Sequence, residues 1–104
     1  MSFILIMCTV GNAENAKIIA QTLVKEKLTA CVNILPQITS IYSWKNEIVN
    51  DSELILLIKT KEKLFDKVKD RVLELHMYEV PEIISFKIES GLDKYLDWIN
   101  KETI

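Results

Sequence analysis

The stretch Phe3–Val10, FILIMCTV, is almost wholly apolar, contains β-branched residues, and is closed by Gly11. A run of this kind fits a strand covered on both faces in the middle of a sheet, which obliges the flanking elements to layer over it. Asn12 follows as a helix N-cap, with Glu14 early in the first turn, where the helix dipole favours an anion. Apolar residues at 16, 19, 20, 23 and 24 then carry the 3.6-residue period of an amphipathic helix to about Leu28.

Over residues 30–44 the period falls to two. Val32, Ile34, Ile38, Tyr42 and Trp44 share one parity, with Asn33, Gln37, Thr39 and Ser43 between them. Pro36 lies inside this strand and cannot donate to a ladder, so the strand sits at an edge or bulges there. Residues 45–47 form a turn, 48–49 a short return and 50–51 a second break. Residues 53–60, ELILLIKT, form another buried strand. Residues 61–76 form a helix with Leu64, Phe65, Val68, Val72 and Leu75 on one side. After Pro81, residues 82–89 give a fourth strand, and Gly91 precedes a last short helix containing Leu92, Tyr95, Leu96 and Ile99.

The order is β-α-β-β-α-β with a terminal helix. Two right-handed crossovers joined by a hairpin make an α+β, ferredoxin-like sandwich, one sheet with helices on one face. At 104 residues the chain is expected to form one domain, residues 1–104, without linker or repeat. A composition 49% hydrophobic and 27% charged suits a soluble globular protein and not a disordered one.

Charge and cysteine usage narrow the function. The 13 basic and 15 acidic residues leave a net charge of −2, with Arg71 the one arginine. No basic stripe is present, which argues against nucleic-acid binding. The longest uninterrupted apolar run, Phe3 to Cys8, is far short of the roughly 20 residues of a spanning helix, and no basic segment precedes it. A cytoplasmic protein with no direct membrane insertion is expected. Cys8 and Cys31 stand far apart without a CxxC, so neither a disulfide framework nor an iron–sulfur cluster is expected.

This fold hosts many functions, each with its own residues. RNA binding would place stacking aromatics on the central strands, which here are FILIMCTV and ELILLIKT. A copper chaperone would carry a CxxC after the first strand, where Cys8 stands alone. Phosphate chemistry would call for an arginine or a glycine-rich cradle, and a nucleophilic triad for a histidine beside Cys or Ser. A non-enzymatic protein follows from the want of a nucleophile–base pair.

The richest polar segment is His76-Met77-Tyr78-Glu79-Val80-Pro81-Glu82, between helix and strand. Imidazole and carboxylates such as Glu79 suit Cu(II) or Zn(II), and a thiolate would tighten the site. Equally, His76 is placed to cap the C-terminus of its helix. Cys8 is either a small core residue or a ligand. Lys59, near the end of a buried strand, either snorkels to water or anchors an anion. Ile38, Tyr42 and Trp44 extend beyond what one small core can cover, so a partner subunit is expected over them.

Several of these segments together resemble the CutA divalent-cation tolerance family along nearly the whole chain. They are Ala30-Cys31-Val32-Asn33-Ile34, Pro36 through Trp44 with Glu47, Leu57-Ile58-Lys59-Thr60, the His76–Glu82 segment, and Tyr95-Leu96-Asp97-Trp98. The resemblance implies a homotrimer of ferredoxin-like subunits, akin in architecture to PII signalling proteins, whose long hairpins pair between subunits. It implies a link to copper and other divalent cations, with Cys8 and His76 matching proposed ligands. It also implies an inter-subunit cleft lined by Trp44, Lys59, Tyr78 and Glu82. A second histidine found in some members is Leu75 here, Met77 replaces a usual proline, and Gly11-Asn12 replaces a usual Pro-Asp. The competing readings are a sensor binding a small anionic metabolite at Lys59, and a structural trimer that regulates a protein partner.

Overall fold

A computed structural model describes residues 1–104. In chain order it contains β1 (Phe3–Val10), α1 (Ala13–Lys25), β2 (Cys31–Trp44), β3 (Glu47–Lys61), α2 (Phe65–Leu75), β4 (Ile83–Lys87) and α3 (Asp93–Glu102). One antiparallel sheet holds the strands in the order β2-β3-β1-β4, which is the ferredoxin-like arrangement. The strand FILIMCTV is central, as its composition requires.

One face of the sheet is dry. Ile4, Ile6, Cys8 and Val10 of β1 and Leu56 and Ile58 of β3 pack against Ala16, Ile19 and Leu23 of α1 and Val68 and Val72 of α2. Asn12 caps α1 as expected, its side chain accepting the Asn15 N–H at 2.8 Å. Asn15 in turn donates to the Leu75 carbonyl at 3.0 Å, satisfying the last turn of α2 from across the helix pair.

The opposite face departs from the sequence expectation. Phe3, Leu5 and Met7 of β1 are only partly covered, so this strand is fully buried on one face of the single subunit rather than on both. Ile84 and Phe86, paired with Met7 and Leu5, extend that apolar surface and are exposed. α3 packs at one end of the sheet and is pinned where Lys61 Nζ donates to the Ile104 carbonyl at 2.9 Å.

β3 is one continuous strand of 15 residues; the break expected at Asn50-Asp51 does not occur. Cross-strand pairing with β2, Ser40 to Asp51 and Ile41 to Asn50, overrides the turn preference of those two residues. The turn is Lys45-Asn46 alone, both at positive φ (49° and 67°), the two-residue hairpin geometry that matches the strand twist. The register slips between Leu35 and Ile38, so Pro36 does mark a bulge, and Gln37 takes a φ of 55° there. The helix expected over 61–76 opens with a 3-10 turn at Glu62–Leu64 and ends at Leu75.

Beyond Leu54, which pairs with Val10, β3 has no neighbour but β2. The hairpin therefore leaves the sheet as a two-stranded arm, and the molecule measures 44 × 25 × 22 Å. Ile38 faces Glu53 and Ser40 faces Asp51 across the ladder, so Ile38, Ser40, Tyr42 and Trp44 share one face of the arm with those two acids.

Candidate functional site

The end of β1, the root of the arm and the loop after α2 enclose a cleft of about 510 Å³. Tyr42 and Trp44 come from the arm, Glu53 from the root of β3, and Tyr78, Glu79 and Glu82 from the loop. Glu53 is 5% exposed, and its Oε2 accepts the Tyr78 hydroxyl at 2.6 Å. Burial, and then this bond, hold the Tyr78 phenol well above its ordinary pKa, so it is a donor at neutral pH. Gly11 makes the arrangement possible: a Cβ there would stand 2.9 Å from the Tyr78 hydroxyl oxygen. Farther out, Tyr42 donates to Asp51 Oδ2 at 2.9 Å, a bond that raises the Tyr42 pKa.

Cys8 and His76 converge on one atom. The His76 Nε2 lies 2.8 Å from the Thr9 carbonyl oxygen, and the Cys8 thiol approaches the same oxygen at 3.7 Å. The other ring nitrogen, Nδ1, accepts the Tyr78 backbone N–H at 3.1 Å, which fixes the tautomer with the proton on Nε2. His76 is the residue that follows α2, and its backbone N–H closes the last turn on Val72. Its ring does not cap the helix; it ties the loop to β1.

Of the three sequence candidates for a metal, Cys8 and His76 are thus donors to a carbonyl, with no lone pair turned to solvent. Burial first, and then the nearby Glu82 and Glu53, push the Cys8 thiol up to about 12, so the thiolate a metal needs is disfavoured. No three His, Cys, Asp or Glu side chains of one chain converge as a metal-binding group. In this conformation Cys8 and His76 offer no free donor atom to a resident ion, and Glu79 lines the cleft apart from them.

Of the four residues expected around a ligand cleft between subunits, Trp44, Tyr78 and Glu82 line this cleft of one chain, and Lys59 of the same chain stands apart from it. Lys59 lies six positions along β3 from Glu53, roughly 20 Å at strand rise. Its ammonium is turned to Asn33 Oδ1 and the Cys31 sulfur. Sequence reasoning missed Glu53 and Asp51, because one opened an apolar run and the other sat in an apparent break. The available signal was parity: an acid at 53 precedes Ile55, Leu57 and Lys59 on the sheet face away from the helices.

The comparisons with known proteins agree with this fold. A family model described as CutA1 divalent ion tolerance protein matches residues 4–102. The divalent-cation tolerance protein CutA of Thermus thermophilus is 50% identical over 98 residues, covering 94% of this chain and 95% of that one. The chloroplastic protein CutA of Arabidopsis thaliana is 44% identical over 100 residues, 96% of this chain and 55% of its own length. The crystal structure of CutA1 from Oryza sativa superposes with a TM-score of 0.97 at 41% identity, covering all of this chain and 95% of that one. No helix here is long and apolar enough to cross a membrane. The chain belongs to the CutA1 divalent ion tolerance family.

Proposed function

We propose that the protein is a non-enzymatic homotrimer that binds divalent cations, copper among them, in acid-lined clefts between subunits. The observation that supports this is the charge of the cleft. Glu53, Glu79 and Glu82 line the part that one chain supplies, and no Lys, Arg or His of that chain joins them. An anionic metabolite would meet three carboxylates there, and Lys59 of the same chain is engaged with Asn33. Divalent ions accept carboxylate oxygen readily, and a neighbouring subunit would supply the ligands that one chain lacks.

Assembly follows from the arm. A two-stranded ribbon is marginal in water unless something packs on it. Tyr42 and Trp44 are exposed on this one, as are Ile41 and Ile48, and Ile38 shares their strand. Pairing with the arms of two further copies would cover the aromatics and the open sheet face together. A cytoplasmic location belongs to the same proposal and rests on the sequence alone.

Calorimetric titration with Cu(II), Zn(II) and Mn(II) tests the reading. Saturable binding that Glu82→Gln weakens and His76→Ala leaves in place is expected. No saturable binding of any of the three ions would overturn it. Loss confined to His76→Ala and Cys8→Val would move the site to the thiol and imidazole.

A further inference from the structure

We propose that Met77 is a peroxide-reactive modification site, and that the Asn12 side chain captures its sulfoxide and so ties the loop after α2 to the start of α1. The proposal is independent of what the cleft binds.

Met77 is 73% exposed, so an oxidant dissolved in water reaches its thioether without any opening of the fold. The residue does not line the cleft at the root of the arm. It follows α2, and its sulfur meets the cap of α1. Met77 therefore belongs to the helix layer, on the side of the sheet opposite the face that the proposed trimer covers. Asn12 Nδ2 points at the sulfur across 3.9 Å, a weak bond because a thioether is a poor acceptor.

Both partners of that bond are held in place. Asn12 Oδ1 accepts the Asn15 N–H at 2.8 Å as the cap of α1, which leaves Nδ2 as the donor turned towards Met77. The residues on either side of Met77 are fixed by the His76 ring, which reaches the Thr9 carbonyl and accepts the Tyr78 N–H. A sulfoxide formed here thus arises between two anchored segments, with a donor already in reach.

A hydroperoxide supplies the oxygen, hydrogen peroxide being the simplest. The sulfur lone pair attacks one peroxide oxygen, the S–O bond forms as the O–O bond breaks, and the second oxygen leaves as water with both hydrogens. Sulfur gives up two electrons and the peroxide takes them. The product oxygen is a far better acceptor than the thioether, so the contact with Asn12 strengthens and the loop that supplies Tyr78, Glu79 and Glu82 to the cleft is tied down. A sulfoxide reductase reverses the change. Met1, although 78% exposed, and Met7, partly covered within β1, receive no side-chain hydrogen bond at sulfur.

The test is treatment of the full-length protein with hydrogen peroxide, followed by peptide-resolved mass spectrometry and amide exchange. Met77 is expected to oxidise within about threefold of the rate of Met1 and at least about tenfold faster than Met7. Its oxidation should slow exchange at Asn15 and Tyr78 by about two- to fivefold, and methionine sulfoxide reductase should restore the original rates. Asn12→Asp keeps the cap acceptor but removes the donor, so oxidation of that variant should not slow exchange. Met77→Leu should show no slowing either, which separates the effect from oxidation of Cys8 or Cys31. Oxidation of Met77 as slow as that of Met7 would overturn the inference by showing the sulfur to be covered in solution. Exchange that is unchanged or faster in oxidised wild type would overturn it too, as would slowing that persists in Asn12→Asp or Met77→Leu.

Discussion

The Tyr78 hydroxyl donates to the buried Glu53 carboxylate across 2.6 Å, joining the loop after α2 to the root of the hairpin arm. Neither residue is held there by its own element alone. Tyr78 is steered by its backbone bond to His76, and the space its ring fills exists because residue 11 has no side chain.

Removing the donor leaves a buried carboxylate without its one protein partner. Tyr78→Phe is therefore expected to lower stability by about 1–3 kcal/mol, read from the urea midpoint at neutral pH. Gly11→Ala should cost a similar amount by a different route, since its methyl would press on the Tyr78 hydroxyl at 2.9 Å and the ring at 3.1 Å. Because both act on one bond, the double variant should lose clearly less than the two single losses added together. Full additivity would mean that the glycine matters for some other reason.

Alkaline pH should weaken the fold through Cys8. Its thiol has an ordinary value of 9.0 and is raised to about 12 by burial and by the two glutamates. A group raised in the folded state stabilises fully below its unfolded value, and that contribution is lost as pH climbs towards the folded one. Between pH 9 and 12 the unfolding free energy should thus fall by up to about 1.4 kcal/mol per pH unit for this one proton. Tyr78, also raised, acts in the same direction. Denaturant unfolding from pH 7 to 11 should show a shallower alkaline decline for Cys8→Val than for wild type. Identical slopes would place the titration elsewhere.

His76 should matter more for the loop than for metal. His76→Ala deletes the bond to the Thr9 carbonyl and the acceptor of the Tyr78 N–H, a loss of about 1–3 kcal/mol. Amide exchange at Tyr78 should quicken markedly, while exchange in the middle of β1 stays slow. Unchanged protection at Tyr78 would show that the imidazole does not hold the loop.

Periodicity made the layered core legible. The alternation of apolar strands with 3.6-period helices placed β1 at the centre and both helices on one face, and Pro36 announced its bulge. Boundaries governed by pairing were harder to see. Asn50 and Asp51 have turn preferences, yet their partners Ile41 and Ser40 keep them in a straight strand. The cleft implied by the resemblance is shared between subunits; within one chain Trp44, Tyr78 and Glu82 line one cleft, and Lys59 lies on a distant part of the same strand as Glu53. Glu53 stood out by strand parity alone, because its importance arises from a bond to a residue 25 positions away.

Covering the arm and sharing the cleft between subunits both depend on assembly, so the mass in solution tests the account most directly. Light scattering after size exclusion at micromolar concentration should give three times the 12.0 kDa of one chain. Tyr42→Lys, which places a charge among the exposed aromatics of the arm, should lower that mass or abolish folding. A wild-type mass near 12.0 kDa would contradict the trimer and the inter-subunit cleft together.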